Sequence, residues 1–337
     1  MFLGATDTGK STLLRMAVNA ARDRSLSVGL LDLDLGQGEL GPPATISASY
    51  STDRAPVRNV RDVPVLETYF VGSITPARHL LELCVGGAYL LASVRRKDPD
   101  IILIDSCGYV SGPAARTLKR RQIEALNPHL VVALQRNGEI EPVLATLTGL
   151  SSPEVMRLSP DPQVGRKSAA TRATRRAARF MNALADGVPA TFAFDTLGLV
   201  GAGFVSGQPH PLITSTMIGK AIRASVMYSA DMEDGSAFVV VRQDRWETEA
   251  IADLAATLKR KPVTIVPASN YAHLLVGLVD RDRVLRGVGT IERIDFERRT
   301  LTVLTKCHPG AVAQIWLGHL RVRKDGREIG EVRPSEI

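Results

Sequence analysis

Cysteine, histidine and long apolar runs are scarce in this 337-residue chain, and each scarcity removes a class of protein. The three cysteines, Cys84, Cys107 and Cys307, are far apart, odd in number and form no C-x-x-C pair. Neither a disulfide framework nor a zinc site is expected from them. The six histidines are equally scattered. Reduced thiols suit an intracellular compartment. No apolar run approaches the ~18 residues of a spanning helix, and Met1 is not followed by the basic and apolar segments of a secretory signal. The expectation is a soluble, cytoplasmic protein without membrane contact. No internal repeat or low-complexity tail is visible.

What is present is ordinary in bulk: 45% hydrophobic and 23% charged residues, enough for a sizeable core. The formal net charge of +7 favours a polyanionic partner, though an arginine-rich enzyme surface accounts for it as well. At ~100–200 residues per domain, two domains are expected. Over 1–145, the runs MFL, SVGLLDLDL, IILIDS and LVVALQ alternate with the helical patterns at 11–24 and 78–96. That alternation predicts an α/β domain with a mainly parallel sheet buried on both faces. Residues 151–165 read as a loop and 166–184 as an arginine-rich helix. Beyond it come short strand-like runs with one helical stretch, 246–259. The expected domains are 1–186, an α/β domain with the G-x-x-x-x-G-K-S loop of P-loop NTPases at residues 4–11 and an arginine-rich segment over about 151–184, and 187–337, a smaller β-rich domain.

The segment GATDTGKST (4–12) matches G-x-x-x-x-G-K-[ST] and lies between an apolar run and an amphipathic helix. In such a loop, Gly4 and Gly9 permit the tight turn, Lys10 reaches the β- and γ-phosphates and Ser11 faces Mg²⁺. Thr6, Asp7, Thr8 and Thr12 complete the candidate nucleotide-binding set. The helix that follows adds a field favourable to anions. The run MFL is short for a strand, so sequence upstream of Met1 is expected.

Two further clusters complement the loop. LLDLDLGQGELGPP ends a buried strand with Asp32 and Asp34, which strand alternation would point the same way. Carboxylates there can serve Mg²⁺ or act as a general base, while Gly36 and Gly38 turn the backbone and Gln37 faces the reaction centre. In IILIDS, Asp105 is the form of residue that supports Mg²⁺ through water. The helix 166–179 carries Arg166, Lys167, Arg172, Arg175, Arg176 and Arg179. Arg172, Arg176 and Arg179 share one face, where a lid of cations could neutralise a transferring phosphoryl group.

GATDTGKST, DLDLGQ with PP after it, YFVGSITP (69–76), SCGY (106–109) and the arginine helix together resemble the polynucleotide 5′-hydroxyl kinase family. That family includes the RNA kinase subunit of the pre-mRNA cleavage machinery and a ribosomal-RNA-processing kinase. The resemblance is strong over about 1–185 and weaker beyond. It implies transfer of the γ-phosphate of ATP or GTP, with Mg²⁺, to the 5′-OH end of RNA or DNA. Carried over by position, Asp34 is the base, and Gln37 helps hold metal or phosphates. Tyr109, where many members have Trp, stacks on the terminal nucleotide, and Thr75 lies in the substrate-side segment. Arg172 and Arg176 are lid cations. Arg166 and Lys167 stand at the lid's start, where the usual Arg-Ser becomes Arg166-Lys167-Ser168. The C-terminal domain could meet RNA-processing proteins. Two other classes share these features: a non-catalytic ATP-binding scaffold, and a P-loop ATPase or GTPase.

Overall fold

The chain, described at residues 1–165 and 167–337 by a computed structural model, divides into two units, Met1–Phe180 and Met181–Ile337. Arg166, a candidate substrate contact, lies outside the described residues.

In the first unit, β1 (Phe2–Gly4), α1 (Lys10–Asp23), β2 (Val28–Leu33), β3 (Thr45–Ser51) and β4 (Val65–Phe70) are followed by α2 (Leu80–Arg95), β5 (Ile101–Ser106) and α3 (Pro113–Leu126). Then come β6 (Leu130–Leu134), α4 (Glu141–Leu144), β7 (Glu154–Leu158) and α5 (Ala169–Leu184), whose residues to Phe180 belong to this unit. The sheet has seven strands in the order β4-β3-β2-β5-β1-β6-β7. The five from β2 to β7 run parallel, while β3 and β4 add antiparallel strands at one edge.

Alternation along the buried strands divides the core. Leu31 and Leu33 join Leu3, Ile104 and Val131 under α2 and α3. Val28 and Leu30 join Phe2, Leu103 and Val132 under α1, with Leu14, Val18 and Ala21. All six residues of β2 are buried, as a central parallel strand requires. The three residues of β1 lie mid-sheet, in register with Val132, Ala133 and Leu134 of β6.

The structure departs from the sequence reading in three places. The stretch read as a loop at 151–165 contains β7, an edge strand whose side chains are largely exposed, so it lacks the apolar signature of a buried strand. TISASYS and VLETYF form β3 and β4, although serine-rich β3 shows little β-type composition; its burial comes from its neighbours. The third concerns Asp34. It lies past the end of β2, so strand alternation does not set its direction.

The second unit contains β8 (Val188–Ala193), β9 (Gly198–Val200), β10 (Gln208–Pro209), α6 (Leu212–Ile222), β11 (Val226–Asp231), β12 (Ala237–Val241) and α7 (Ile251–Leu258). It continues with β13 (Val263–Pro267), β14 (Leu274–Val279), β15 (Leu285–Asp295), β16 (Thr300–Thr305), β17 (Gln314–Val322) and β18 (Glu328–Glu331). One sheet runs β18-β17-β14-β15-β16-β8, with β9 beside β17, and a smaller one runs β10-β11-β12-β13. This confirms a β-rich unit, but a second helix, α6, stands beside the expected one. Its sequence, LITSTMIGKAI, mixes β-branched residues with a glycine. Packing of Ile218 and Ile222 onto Val239 and Val241 overrides that weak local preference. Among the described residues, no helix is long and apolar enough to cross a membrane.

Candidate active site

The loop between β1 and α1 turns at Gly9, whose φ of 91° is open to glycine at no steric cost. Lys10 begins α1 and is 7% exposed. Its Nζ donates to the carbonyls of Gly4 at 2.8 Å and Ala5 at 2.9 Å. Burial pulls the Lys10 ammonium below the ordinary lysine range, and the charges of Asp105 and Asp34 pull the other way. Thr8 is buried and donates its hydroxyl to the Ala5 carbonyl, whereas Thr6, Ser11 and Thr12 are exposed. Ser11 Oγ donates to Asp105 Oδ2 at 3.1 Å, bringing helix start and strand end together.

The three aspartates do different things. Asp32, a candidate Mg²⁺ ligand in the sequence, is 4% exposed and holds the turn after β2. Its Oδ1 accepts the N–H of Asp34 at 3.1 Å, and its Oδ2 accepts those of Glu39 at 2.5 Å and Leu40 at 3.0 Å. Burial, then the nearby charge of Asp105, pushes its carboxyl up to about 7, against the hydrogen bond from Leu40. Asp34 is half-buried, and its Oδ1 accepts the N–H groups of Gly36 and Gln37. Its Oδ2 accepts no hydrogen bond among the described residues. The Gln37 amide donates to the Gly36 carbonyl at 2.7 Å.

Asp105 closes β5. Burial pushes it up to about 6, with Lys10 opposing and Asp34 adding to the rise. Its Oδ1 is buried and has no hydrogen-bond partner among the described residues. Among the described residues, no group of three or more His, Cys, Asp or Glu side chains gathers to form a metal cage. A hydroxyl, one buried carboxylate with a spare oxygen, and a phosphate-binding loop fit Mg²⁺. That ion keeps most of its waters and relies on substrate phosphates.

The lid sequence connects to the loop through Asp7. The Asp7 Oδ2 accepts the backbone N–H of Lys167 at 3.0 Å and pairs with Arg172 Nη1 at 3.1 Å; Arg172 also donates to the Lys167 carbonyl. Asp7 was expected among the nucleotide-binding residues, yet its carboxylate faces the lid. Arg179, the third member of the expected cationic face, donates to the carbonyls of Gly38, Gly41 and, at 3.4 Å, Leu40. It braces the turn after Asp34. Arg176 is half-buried on the same helix.

On the other flank, Gly108 presses against the phosphate loop: a Cβ there would lie 2.3 Å from Thr6 Oγ1 and 2.7 Å from the Thr6 nitrogen. Tyr109 follows, half-buried against the core under α2 and α3. Thr75 is exposed, and its N–H donates to Ser73 Oγ at 2.9 Å. The preceding Ile74 carbonyl would lie 3.5 Å from a Cβ on Gly36, so this segment borders the Asp34 turn.

Motif reading missed two residues of this region. The Arg136 guanidinium donates to the Asp7 carbonyl at 3.1 Å and to that of Val164 at 2.9 Å, tying the loop to the chain entering the lid. Lys119 is fully buried and donates to Cys107. The signal for Arg136 is faint, a lone cation just after a buried strand. Lys119 had a clearer one, since it interrupts the apolar face of an amphipathic helix.

Loop, sheet order and strand-end carboxylates define a P-loop nucleotide-binding protein. Residues 4–184 match the family described as mRNA cleavage and polyadenylation factor CLP1 P-loop, and the chain belongs to that family. It is 29% identical over 331 residues to a polyribonucleotide 5′-hydroxyl-kinase of Pyrococcus horikoshii, covering 98% of this chain and 87% of the relative. A Methanocaldococcus jannaschii protein of the same description is 26% identical, with 98% and 88% covered. For the Clp1 polyribonucleotide 5′-hydroxyl-kinase of Xenopus tropicalis, the figures are 26%, 90% and 65%. The solved structure of a wild-type Clp1p–Pcf11p complex shares the fold, with a TM-score of 0.58 at 14% identity, covering 95% of this chain and 73% of that one.

Proposed function

We propose that this chain is a polynucleotide 5′-hydroxyl kinase, moving the γ-phosphate of ATP or GTP to the 5′-OH end of RNA or DNA. The observation that carries the reading is the meeting of Lys10, Ser11, Asp34 and Asp105 where β1, β2 and β5 end, with their charges acting on one another. The names of the archaeal and vertebrate relatives support it.

In this reading the Asp34 oxygen without a partner accepts the proton of the 5′-hydroxyl. The hydroxyl oxygen bonds to the γ-phosphorus as its bond to the β–γ bridging oxygen breaks, leaving a 5′-phosphate end and the nucleoside diphosphate. The hydrogen bonds from Gly36 and Gln37 to the other oxygen fix the Asp34 carboxylate. Lys10 exchanges its loop carbonyls for the β- and γ-phosphates, and the loop N–H groups orient them. Ser11 and Asp105 would hold Mg²⁺, which when bound offsets phosphate charge. Arg172 and Arg176 supply lid cations. Tyr109 offers a ring to the terminal base, a sequence-tolerant contact. Asp32 acts on the turn that presents Asp34 rather than on substrate.

The test is transfer of labelled γ-phosphate to matched 5′-OH RNA and DNA oligonucleotides. Asp34→Asn should lower transfer by about 10²–10⁴, the usual worth of a general base, with ATP binding retained. A folded wild-type protein that labels neither substrate would leave the scaffold or ATPase reading in its place.

A further inference from the structure

Lys119 is a lysine with no exposed surface, set among apolar neighbours on the inner face of α3. Burying an ammonium group costs several kcal/mol unless it is well hydrogen-bonded, and an apolar residue fills such a position more cheaply. What Lys119 does there is specific. Its Nζ donates to the carbonyl of Cys107 at 2.8 Å and lies 3.2 Å from the Cys107 sulfur. Cys107 is 2% exposed and directly follows β5, where the chain must leave the sheet. Without Lys119 its carbonyl would lose this buried donor.

We infer that Lys119 is the positioning residue of Tyr109, the clasp on the acceptor end. By holding the Cys107 carbonyl, it sets the Gly108–Tyr109 segment that meets the 5′-terminal nucleotide. The inference rests on the reading of Tyr109 as the substrate's stacking surface. It adds the device that aims the ring. Gly108 is confined on its other side by Thr6, so the segment is held between the phosphate loop and an ammonium group from the following helix. The donor site and the acceptor-end clasp are thereby built to one register.

The experiment is steady-state kinetics with ATP and a 5′-OH oligonucleotide on variants confirmed folded by cooperative melting. Lys119→Met keeps the side-chain length but cannot donate. It should raise the KM for the oligonucleotide about tenfold, the factor set by ~1.4 kcal/mol, and clearly more than the KM for ATP, which loss of the Lys119 charge near Lys10 and Asp105 also touches. Lys119→Gln retains a donor on a shorter arm and should fall between. Lys119→Leu, which also lacks a donor, decides if Lys119→Met does not fold: a selective oligonucleotide effect supports the inference, and wild-type values overturn it. Equal rises in both KM values for Lys119→Met would mark general loosening and overturn it too. Tyr109→Ala separates the two layers. If it leaves the oligonucleotide KM unchanged, the clasp reading fails and this inference with it. If it raises that KM while Lys119→Met does not, only the role of Lys119 fails.

Discussion

Replacing Asp105 by Asn should make the protein more stable near neutral pH and nearly inactive. Asp105 is 5% exposed, and burial raises its carboxyl from 3.8 to about 6 despite the opposing charge of Lys10 and the hydrogen bond from Ser11. The folded state therefore binds the Asp105 proton more tightly than the unfolded chain. Between about pH 4 and pH 6, folded molecules carry more protons, so the contribution to stability is present at low pH and lost as pH rises through that window. Two units at ~1.4 kcal/mol each make the penalty at neutral pH about 3 kcal/mol. Asparagine carries no charge and keeps an oxygen for the Ser11 hydroxyl, so it removes the penalty and spares the contact. Asp32, raised to about 7 partly by the charge of Asp105, should also titrate lower in the variant.

Urea unfolding at about pH 5 and about pH 8 reads the effect. Wild type should lose stability between the two, and Asp105→Asn should lose clearly less. Labelling of a 5′-OH oligonucleotide should fall at least ~100-fold, because the carboxylate proposed to face Mg²⁺ is gone. A variant with the wild-type pH slope and lower stability at pH 8 would refute the burial reasoning. A stabilised variant with undiminished labelling would refute the metal-facing role.

Two further substitutions test the loop's neighbours. Gly108→Ala puts a methyl group 2.3 Å from Thr6 Oγ1 and 2.8 Å from Thr6 Cα, so the phosphate loop must move. ATP affinity measured by calorimetry should drop about tenfold or more, in keeping with the 1–3 kcal/mol of an overpacked contact, and unchanged affinity would contradict the contact. Asp7→Asn weakens the hold on Lys167 and Arg172. Exchange of the Lys167 amide hydrogen should quicken about tenfold, within the range for a bond to a charged acceptor. An unchanged rate would show that Asp7 does not hold the lid.

The chemistry of the donor site was legible in the sequence because it is local. Residues 4–12 contain the loop, its lysine and its hydroxyl in one continuous stretch, and burial of β2 and β5 follows from runs rich in Leu, Ile and Val. Asp105 stands where such a run ends. The β-rich unit was visible from its composition, while α6 and β7 were not: one is a helix made by packing, the other an edge strand without an apolar face. Within the site, tertiary structure assigned the duties. Asp32 and Asp34 are two residues apart and chemically identical, yet one is spent on backbone N–H groups of residues 34–40 and the other keeps an oxygen open. Arg172 and Arg179 share a helix face, but Asp7 lies opposite one and the carbonyls of Gly38 and Gly41 opposite the other. Lys119 stands out in sequence by interrupting the apolar face of α3, but that it donates to Cys107 emerges only in the fold. Sequence determined which groups are available, since functional chemistry belongs to the side chain. Which partner each one meets depends on segments up to 165 positions apart, and only the packed fold brings those together.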